Sequence, residues 1–181
     1  MRCLWKPVPA IAALLALCLL GRAHIERLTL GQIATRADNV VYGEITAKRA
    51  FRVDHPVDGP ELFFTDLLIE GRSLATGRSI AVTVTYAGGW VDAREGVWNS
   101  EAPSEEETAV GQRVVVFYAW TDNMGGDVEA NAIYAAHGGV YRTVDGPAGS
   151  VVMGRGHGYA IPANVSLAQL ERAVAELRSG R

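Results

Sequence analysis

The segment NVVYGEITAKRAFRV, residues 39–53, is rich in β-branched and aromatic side chains, which predicts a long first strand. Gly43 lies in its interior, where a glycine indicates a bulge or a sharp coil of the strand. Residues 79–86, SIAVTVTY, alternate apolar and polar side chains and predict a strand with one buried face and one wet face. The run RVVVFYAW, residues 113–120, is apolar on both faces, as expected of a central strand.

Shorter segments complete the predicted sheet. Alternation at residues 63–70 predicts a second strand, and turn-rich boundaries separate three short closing strands at residues 132–136, 140–144 and 150–153. The motif HGG that begins at His137 is interpreted as a hairpin turn, and GRGHG, residues 154–158, as a tight backbone approach beside the barrel.

Two helices flank these strands. Apolar residues from Leu30 to Ala37 recur at helical spacing behind a possible capping residue, Thr29, and predict a short N-terminal helix. Near the end of the chain, Ser166 and Gln169 form a capping box, which predicts a C-terminal helix over residues 166–178. The fold class expected is mainly β, a small OB-like closed or partly open β-barrel with a short N-terminal helix and a C-terminal helix.

Residues 1–23 have the three parts of a secretory signal peptide. Arg2 and Lys6 give a positive start, residues 10–20 are apolar, and small residues precede the exit at Ala23. We expect cleavage near Ala23, a secreted or periplasmic protein, and a single domain over residues 24–181. The apolar run is too short for a transmembrane anchor. An uncleaved amphipathic anchor is one alternative; a lipoprotein modified at Cys18 is another, disfavoured by the leucine before that cysteine.

Charge and cysteine content exclude several classes of function. Both cysteines, Cys3 and Cys18, lie in the leader, so the mature chain cannot use cysteine as a nucleophile, redox group or zinc ligand. Loss of Arg2, Lys6 and Arg22 with the leader takes the 17 basic residues to 14 against 20 acidic ones, a net charge near −6. That charge argues against nucleic acid and anionic membrane surfaces as partners.

Four segments carry a resemblance to a known family: ATRADNVVYGEITA (34–47), TVTYAGG (83–89), VGQRVVVFYAW (110–120) and HGGVYRTVDG (137–146). They resemble a family of secreted bacterial proteins of uncharacterised function whose fold is considered OB-like and similar to tissue inhibitors of metalloproteinases. The resemblance implies such a barrel, but its motifs are mainly core and turn residues and say little about activity. A protein-binding or inhibitor-like role belongs instead to the leading hypothesis about function. Those inhibitors chelate the protease zinc through an N-terminal cysteine and brace the barrel with disulfides; the mature chain has no cysteine, so that mechanism does not carry over.

The long irregular segment 87–111 holds the candidate binding residues. Its tryptophans, Trp90 and Trp98, fit a recognition surface, since aromatic residues are enriched in binding hot spots; core packing is the alternative. The acidic run Glu105, Glu106 and Glu107 is interpreted as a solvated face, with weak calcium binding as its alternative.

The histidines are the candidate metal ligands: His24, His55, His137 and His157. None is paired at a ligand spacing such as H-x-x-x-H, which favours ordinary surface or turn roles. If cleavage follows Ala23, His24 becomes the N-terminus, where its amine and ring nitrogen can chelate copper or zinc; this resembles the copper brace of polysaccharide monooxygenases.

Three hypotheses about function result. The leading one is an exported, non-enzymatic binding or interaction module for a protein or small-molecule ligand, without a cofactor and with segment 87–111 as its contact surface. The alternative is a metal-dependent extracytoplasmic enzyme that uses His24 and the other histidines with copper or zinc. The third is an envelope protein with a structural role.

Overall fold

The computed structural model describes residues 27–180. Its elements in chain order are α1 (Leu30–Arg36), β1 (Asn39–His55), β2 (Gly59–Ser73), β3 (Ser79–Ala87), β4 (Gly89–Trp90), β5 (Gly96–Val97), β6 (Arg113–Thr121), β7 (Ala130–Ile133), a 3₁₀ turn (Ala136–Gly139), β8 (Val140–Gly146), β9 (Gly149–Val152), β10 (Val165–Ser166) and α2 (Leu167–Ser179). The leader, its cleavage site and His24 lie outside the described residues.

Five strands close into a barrel in the order β1-β2-β3-β7-β6, and β6 returns to β1. Neighbouring strands are antiparallel except β3 and β7, which meet in parallel at Thr85 and Ala132. The ring closes where the first half of β1 pairs with β6, with Val41 opposite Val116. The predicted mainly β barrel with a short helix near the N-terminus and a helix at the C-terminus is therefore confirmed.

Strand β1 has both of its edges paired around Gly43, since residues 41–44 lie between β2 and β6. Gly43 lies opposite Gly71 of β2, and a Cβ on either glycine would collide with backbone of the facing strand. The bulge itself lies elsewhere: Ile45 and Ala47 pair with consecutive residues of β2, which leaves Thr46 as the extra residue. Gly43 thus permits a close approach of two strands, while Thr46 makes the bulge.

Both helices begin as the sequence predicts. Thr29 caps α1 and Ser166 caps α2, each in a complete capping box with a glutamine three residues later. The helices cover one apolar cluster, in which Ile33 of α1 and Leu170 of α2 are buried with Phe117 of β6. A second cluster fills the barrel interior. Burial of these helix faces fixes how the two ends of the described chain meet.

Strand β6 is the central strand that the apolar run predicts. Strand β1 pairs along one of its edges, and β7 followed by β8 pairs along the other. The 3₁₀ turn Ala136–Gly139 interrupts this second edge. The prediction of a hairpin turn at His137 is therefore wrong, because the strands before and after it pair with β6 rather than with each other. Gly154 does make the predicted tight approach, against the backbone of Ala163.

Helices of membrane-spanning length and apolarity are absent from residues 27–180.

Candidate functional site

The segment between β3 and β6 begins as a small hairpin, β4–β5, held close to the barrel wall. Gly88 and Gly89 have φ angles of 100° and 123°, a region that glycine adopts without strain. A Cβ on Gly89 would collide with the Thr65 hydroxyl, which donates a hydrogen bond to the Gly88 carbonyl at 2.7 Å. The two glycines therefore let the hairpin pack directly on β2.

Polar side chains hold the hairpin at its tip and its base. At the tip, the Arg52 guanidinium of β1 donates to Glu95 at 2.8 Å; at the base, the Asn99 amide donates to the Ala87 carbonyl at 3.0 Å. Hydrogen bonds to Asp54 and Glu95 raise the pKa of Arg52, and the hydrogen bond from Arg52 lowers the pKa of Asp54. The hairpin is thus fixed at its tip by a charged contact and at its base by a polar one.

This hairpin presents both predicted tryptophans to solvent. Trp90 ends β4 with 53% of its surface exposed, and Trp98 follows β5 with 76% exposed. Core packing, the alternative interpretation, does not apply to either side chain. Exposed indoles of this size are costly to leave in water and are common where a protein binds a partner.

The two tryptophans border a cleft of about 400 Å³. The floor of the cleft is formed by Glu107, His137, Arg155 and Tyr159, which come from separate parts of the chain. The structure therefore brings the predicted residues Trp90, Trp98, Glu105, Glu107 and His137 into one place. Glu106 does not line this cleft.

Each glutamate of the acidic run pairs with a different cation on the barrel. Glu105 accepts from Lys48 at 2.6 Å, Glu106 pairs with Arg142, and Glu107 accepts from Arg155 at 2.6 Å. The side chains of Glu105 and Glu106 are 81% and 74% exposed, as a solvated face predicts, but that of Glu107 is only 15% exposed. The prediction of a solvated face is wrong for Glu107, because its carboxylate pairs with Arg155, whose own side chain is only 20% exposed.

Arg155 organises the floor of the cleft. Its Nη1 donates to Glu107 and to the backbone carbonyls of His137 and Val140, at 2.6, 2.8 and 3.1 Å. The guanidinium also lies over the ring of Tyr159, 5.0 Å from its centroid. One cation thus joins the acidic segment, the 3₁₀ turn and the aromatic floor.

His137 and Tyr159 form the polar centre of that floor. His137 Nδ1 lies 3.2 Å from the Glu101 carbonyl oxygen, and its Nε2 lies 3.1 Å from the Tyr159 hydroxyl. A carbonyl only accepts, so Nδ1 carries the proton, and in the neutral ring Nε2 accepts the tyrosine hydrogen. The arrangement fixes one tautomer of His137 and orients the Tyr159 hydroxyl.

The other predicted metal ligands do not join this cleft. Opposite ring nitrogens of His55 face Asp58 at 3.4 Å and Asp127 at 3.2 Å, so the two carboxylates flank the ring instead of converging. His157 is exposed. Within residues 27–180, no three His, Cys, Asp or Glu side chains lie close enough to hold a metal ion. A copper or zinc site built on His24 stays a prediction, because that residue lies outside the described range.

Two further depressions adjoin the cleft. One, of about 480 Å³, shares Trp98 with it and is bordered by Leu62 and Met124. The other, of about 510 Å³, shares Trp90 and Glu105 with it and is bordered by Lys48 and Arg49. Each tryptophan therefore stands between two depressions.

Arg155 and Tyr159 were missed from the sequence, although both lie in or beside the glycine-rich stretch at residues 154–158. Their roles depend on partners 15 to 48 residues away in the chain, which periodicity does not reveal. Comparison of the chain with family models, curated proteins and solved structures finds no match.

Proposed function

We propose that this protein is an exported, non-enzymatic binding module whose contact surface is the cleft between Trp90 and Trp98. The observation that carries the proposal is the exposure of both indoles on a hairpin that is fixed to the barrel at its tip and base. Export rests on the signal-like composition of residues 1–23.

The hydrogen bonding of the cleft supports binding. Glu107, Arg155, His137 and Tyr159 already hold one another in the free protein. Side chains that are ordered before a ligand arrives lose little rotamer freedom when it binds, which lowers the entropic cost of association. Large aromatic side chains beside such groups add apolar contact area at low conformational cost.

The test compares three forms of the exported protein, immobilised and exposed to the extracytoplasmic fraction of its own cells. The forms are the wild type, the double variant Trp90→Ala/Trp98→Ala and the matched control Trp120→Ala. Trp120 is 57% exposed but lies on β6, outside the cleft and its two neighbouring depressions. We expect one ligand to be retained equally by wild type and control and at least about tenfold less by the double variant, as for hot-spot tryptophans.

Three results would contradict the proposal. Equal retention by all three forms, or no retained ligand on any of them, would remove the tryptophan surface as a binding site. A native intact mass that shows one equivalent of copper or zinc, lost on His24→Ala, would contradict the non-enzymatic interpretation and favour the metal-dependent enzyme.

A further inference from the structure

The three depressions beside the hairpin form a series in which the cleft is the middle member. It shares Trp98 with the depression near Leu62 and Trp90 with the depression near Lys48, while the two outer depressions share no lining residue. Volumes of about 400, 480 and 510 Å³ make the three similar in size. A surface divided in this way fits a ligand made of similar units joined in a chain.

The charges that line the central cleft are already paired within the protein. Glu105 pairs with Lys48 and Glu107 with Arg155, whereas in the outer depressions Arg49 pairs with Asp66 and Glu61 shares Arg52 with two other carboxylates. A charged ligand would have to compete with these pairs, whereas an uncharged ligand with hydroxyl groups can hydrogen-bond to them as they stand. The surface therefore favours a neutral polar ligand.

The two tryptophans supply the matching apolar contact. A sugar ring has one face of C–H groups with small positive partial charges, which are attracted to the negative face of an aromatic ring. Its edges carry hydroxyls that can donate to the Glu107 carboxylate and to the Tyr159 hydroxyl oxygen, while both ring nitrogens of His137 already have partners. A neutral sugar chain can thus stack on the indoles and bond to the floor between them.

We infer that the cleft and the two outer depressions together bind a linear, neutral oligosaccharide, with one sugar unit in each of the three and an indole beside each linkage. The inference rests on the proposed function and specifies its ligand. A polypeptide fits less well, because its side-chain anchors need deep apolar pockets, and Phe63 and Phe64 of the depression near Leu62 are buried beneath its surface.

The experiment titrates the exported protein with two series of probes, linear β-1,4-glucose oligomers and β-1,4-N-acetylglucosamine oligomers of one to about six units, by isothermal calorimetry. We expect one series to bind, with an affinity that rises with each unit to three units and then levels. Trp90→Ala and Trp98→Ala are each expected to weaken binding of the three-unit probe by roughly 10- to 30-fold. Trp120→Ala, the matched control, is expected to leave it unchanged.

Three outcomes of the titration would overturn the inference: no binding of either series at millimolar concentration, affinity independent of length, or equal affinity in the tryptophan variants. A peptide selected from a displayed library that binds wild type and fails to bind Trp98→Ala would identify a polypeptide ligand instead. That last result would reject the oligosaccharide and leave the proposed binding function standing, so the two failures are distinguishable. Circular dichroism and melting curves of each variant are expected to match those of the wild type, because all three positions are exposed.

Discussion

Replacement of Glu107 by glutamine keeps the shape of the side chain and removes its charge from the Arg155 pair. Because both side chains are largely shielded from water, at 15% and 20% exposure, the pair is weakly screened. A hydrogen bond between charged groups contributes about 1.5–3 kcal/mol, and a neutral one about 0.5–1.5 kcal/mol. We therefore expect Glu107→Gln to lower the free energy of unfolding by about 1–2 kcal/mol.

The two preceding glutamates provide matched controls in the same segment. Glu105 and Glu106 also pair with cations, but their carboxylates are mostly exposed, so Glu105→Gln and Glu106→Gln should each cost less than about 0.5 kcal/mol. The measurement is urea unfolding of each variant at low salt and at 0.5 M NaCl. Salt should reduce the effects at Glu105 and Glu106 and leave most of the effect at Glu107.

A double-mutant cycle separates the pair from other effects of the substitutions. Glu107→Gln and Arg155→Met, alone and together, should show a coupling energy of about 1–2 kcal/mol. Equal losses at all three glutamates, or a coupling energy near zero, would refute the argument that burial makes Glu107 the residue that fixes the acidic segment to the cleft floor.

Three further predictions concern the barrel and its helices. Gly43→Ala and Gly71→Ala should each lower the free energy of unfolding by about 3 kcal/mol or prevent folding, because the new methyl group meets backbone of the facing strand. At Gly31 in α1 a methyl group would make only ordinary contacts, so Gly31→Ala should raise the free energy of unfolding by up to about 1 kcal/mol. Thermal unfolding measures all three variants. Burial raises the pKa of the Tyr141 phenol above its ordinary value of 10.0, so the tyrosine ionises at lower pH in the unfolded chain than in the folded one. The free energy of unfolding should therefore fall as pH rises above 10, and it should fall less steeply in Tyr141→Phe. Urea unfolding between pH 9 and 11 measures this slope. Ser166→Ala removes the cap of α2 and should cost about 1 kcal/mol in the same urea assay, and no loss would show that the capping box does not stabilise the helix.

Much of the fold was predictable from the sequence because the signals are local. The apolar run of β6 and the capping boxes at Thr29 and Ser166 are each contained in a few neighbouring residues. The parallel contact of β3 with β7 was not predictable, since it joins Thr85 to Ala132 across 47 positions. The bulge at Thr46 was also missed, because the nearby glycine at Gly43 carries the stronger local signal.

In the candidate site, too, only the features with local sequence signals could be predicted. Composition and the lapse in periodicity singled out Trp90 and Trp98, and both are exposed at the cleft. The partners of Glu107 and His137 could not be predicted, because Arg155 and Tyr159 reach them only after β8 and β9 have folded back along the barrel. Sequence patterns thus located Trp90, Trp98, Glu107 and His137 but missed Arg155 and Tyr159, which hold Glu107 and His137 in place.

The contact between the two helices joins segments from opposite ends of the described chain. Arg178 near the end of α2 donates to the carbonyls of Ala37 and Asp38, at the junction of α1 and β1, both at 2.8 Å. Leu170 of α2 is buried in one cluster with Ile33 of α1. The antiparallel β1–β2–β3 meander needs only neighbouring chain, whereas α1 packs on β6 and gains α2 as a further partner only when the last helix arrives. Such long-range closure slows folding, and it makes α1 and α2 a single cooperative unit whose amides should exchange with solvent together.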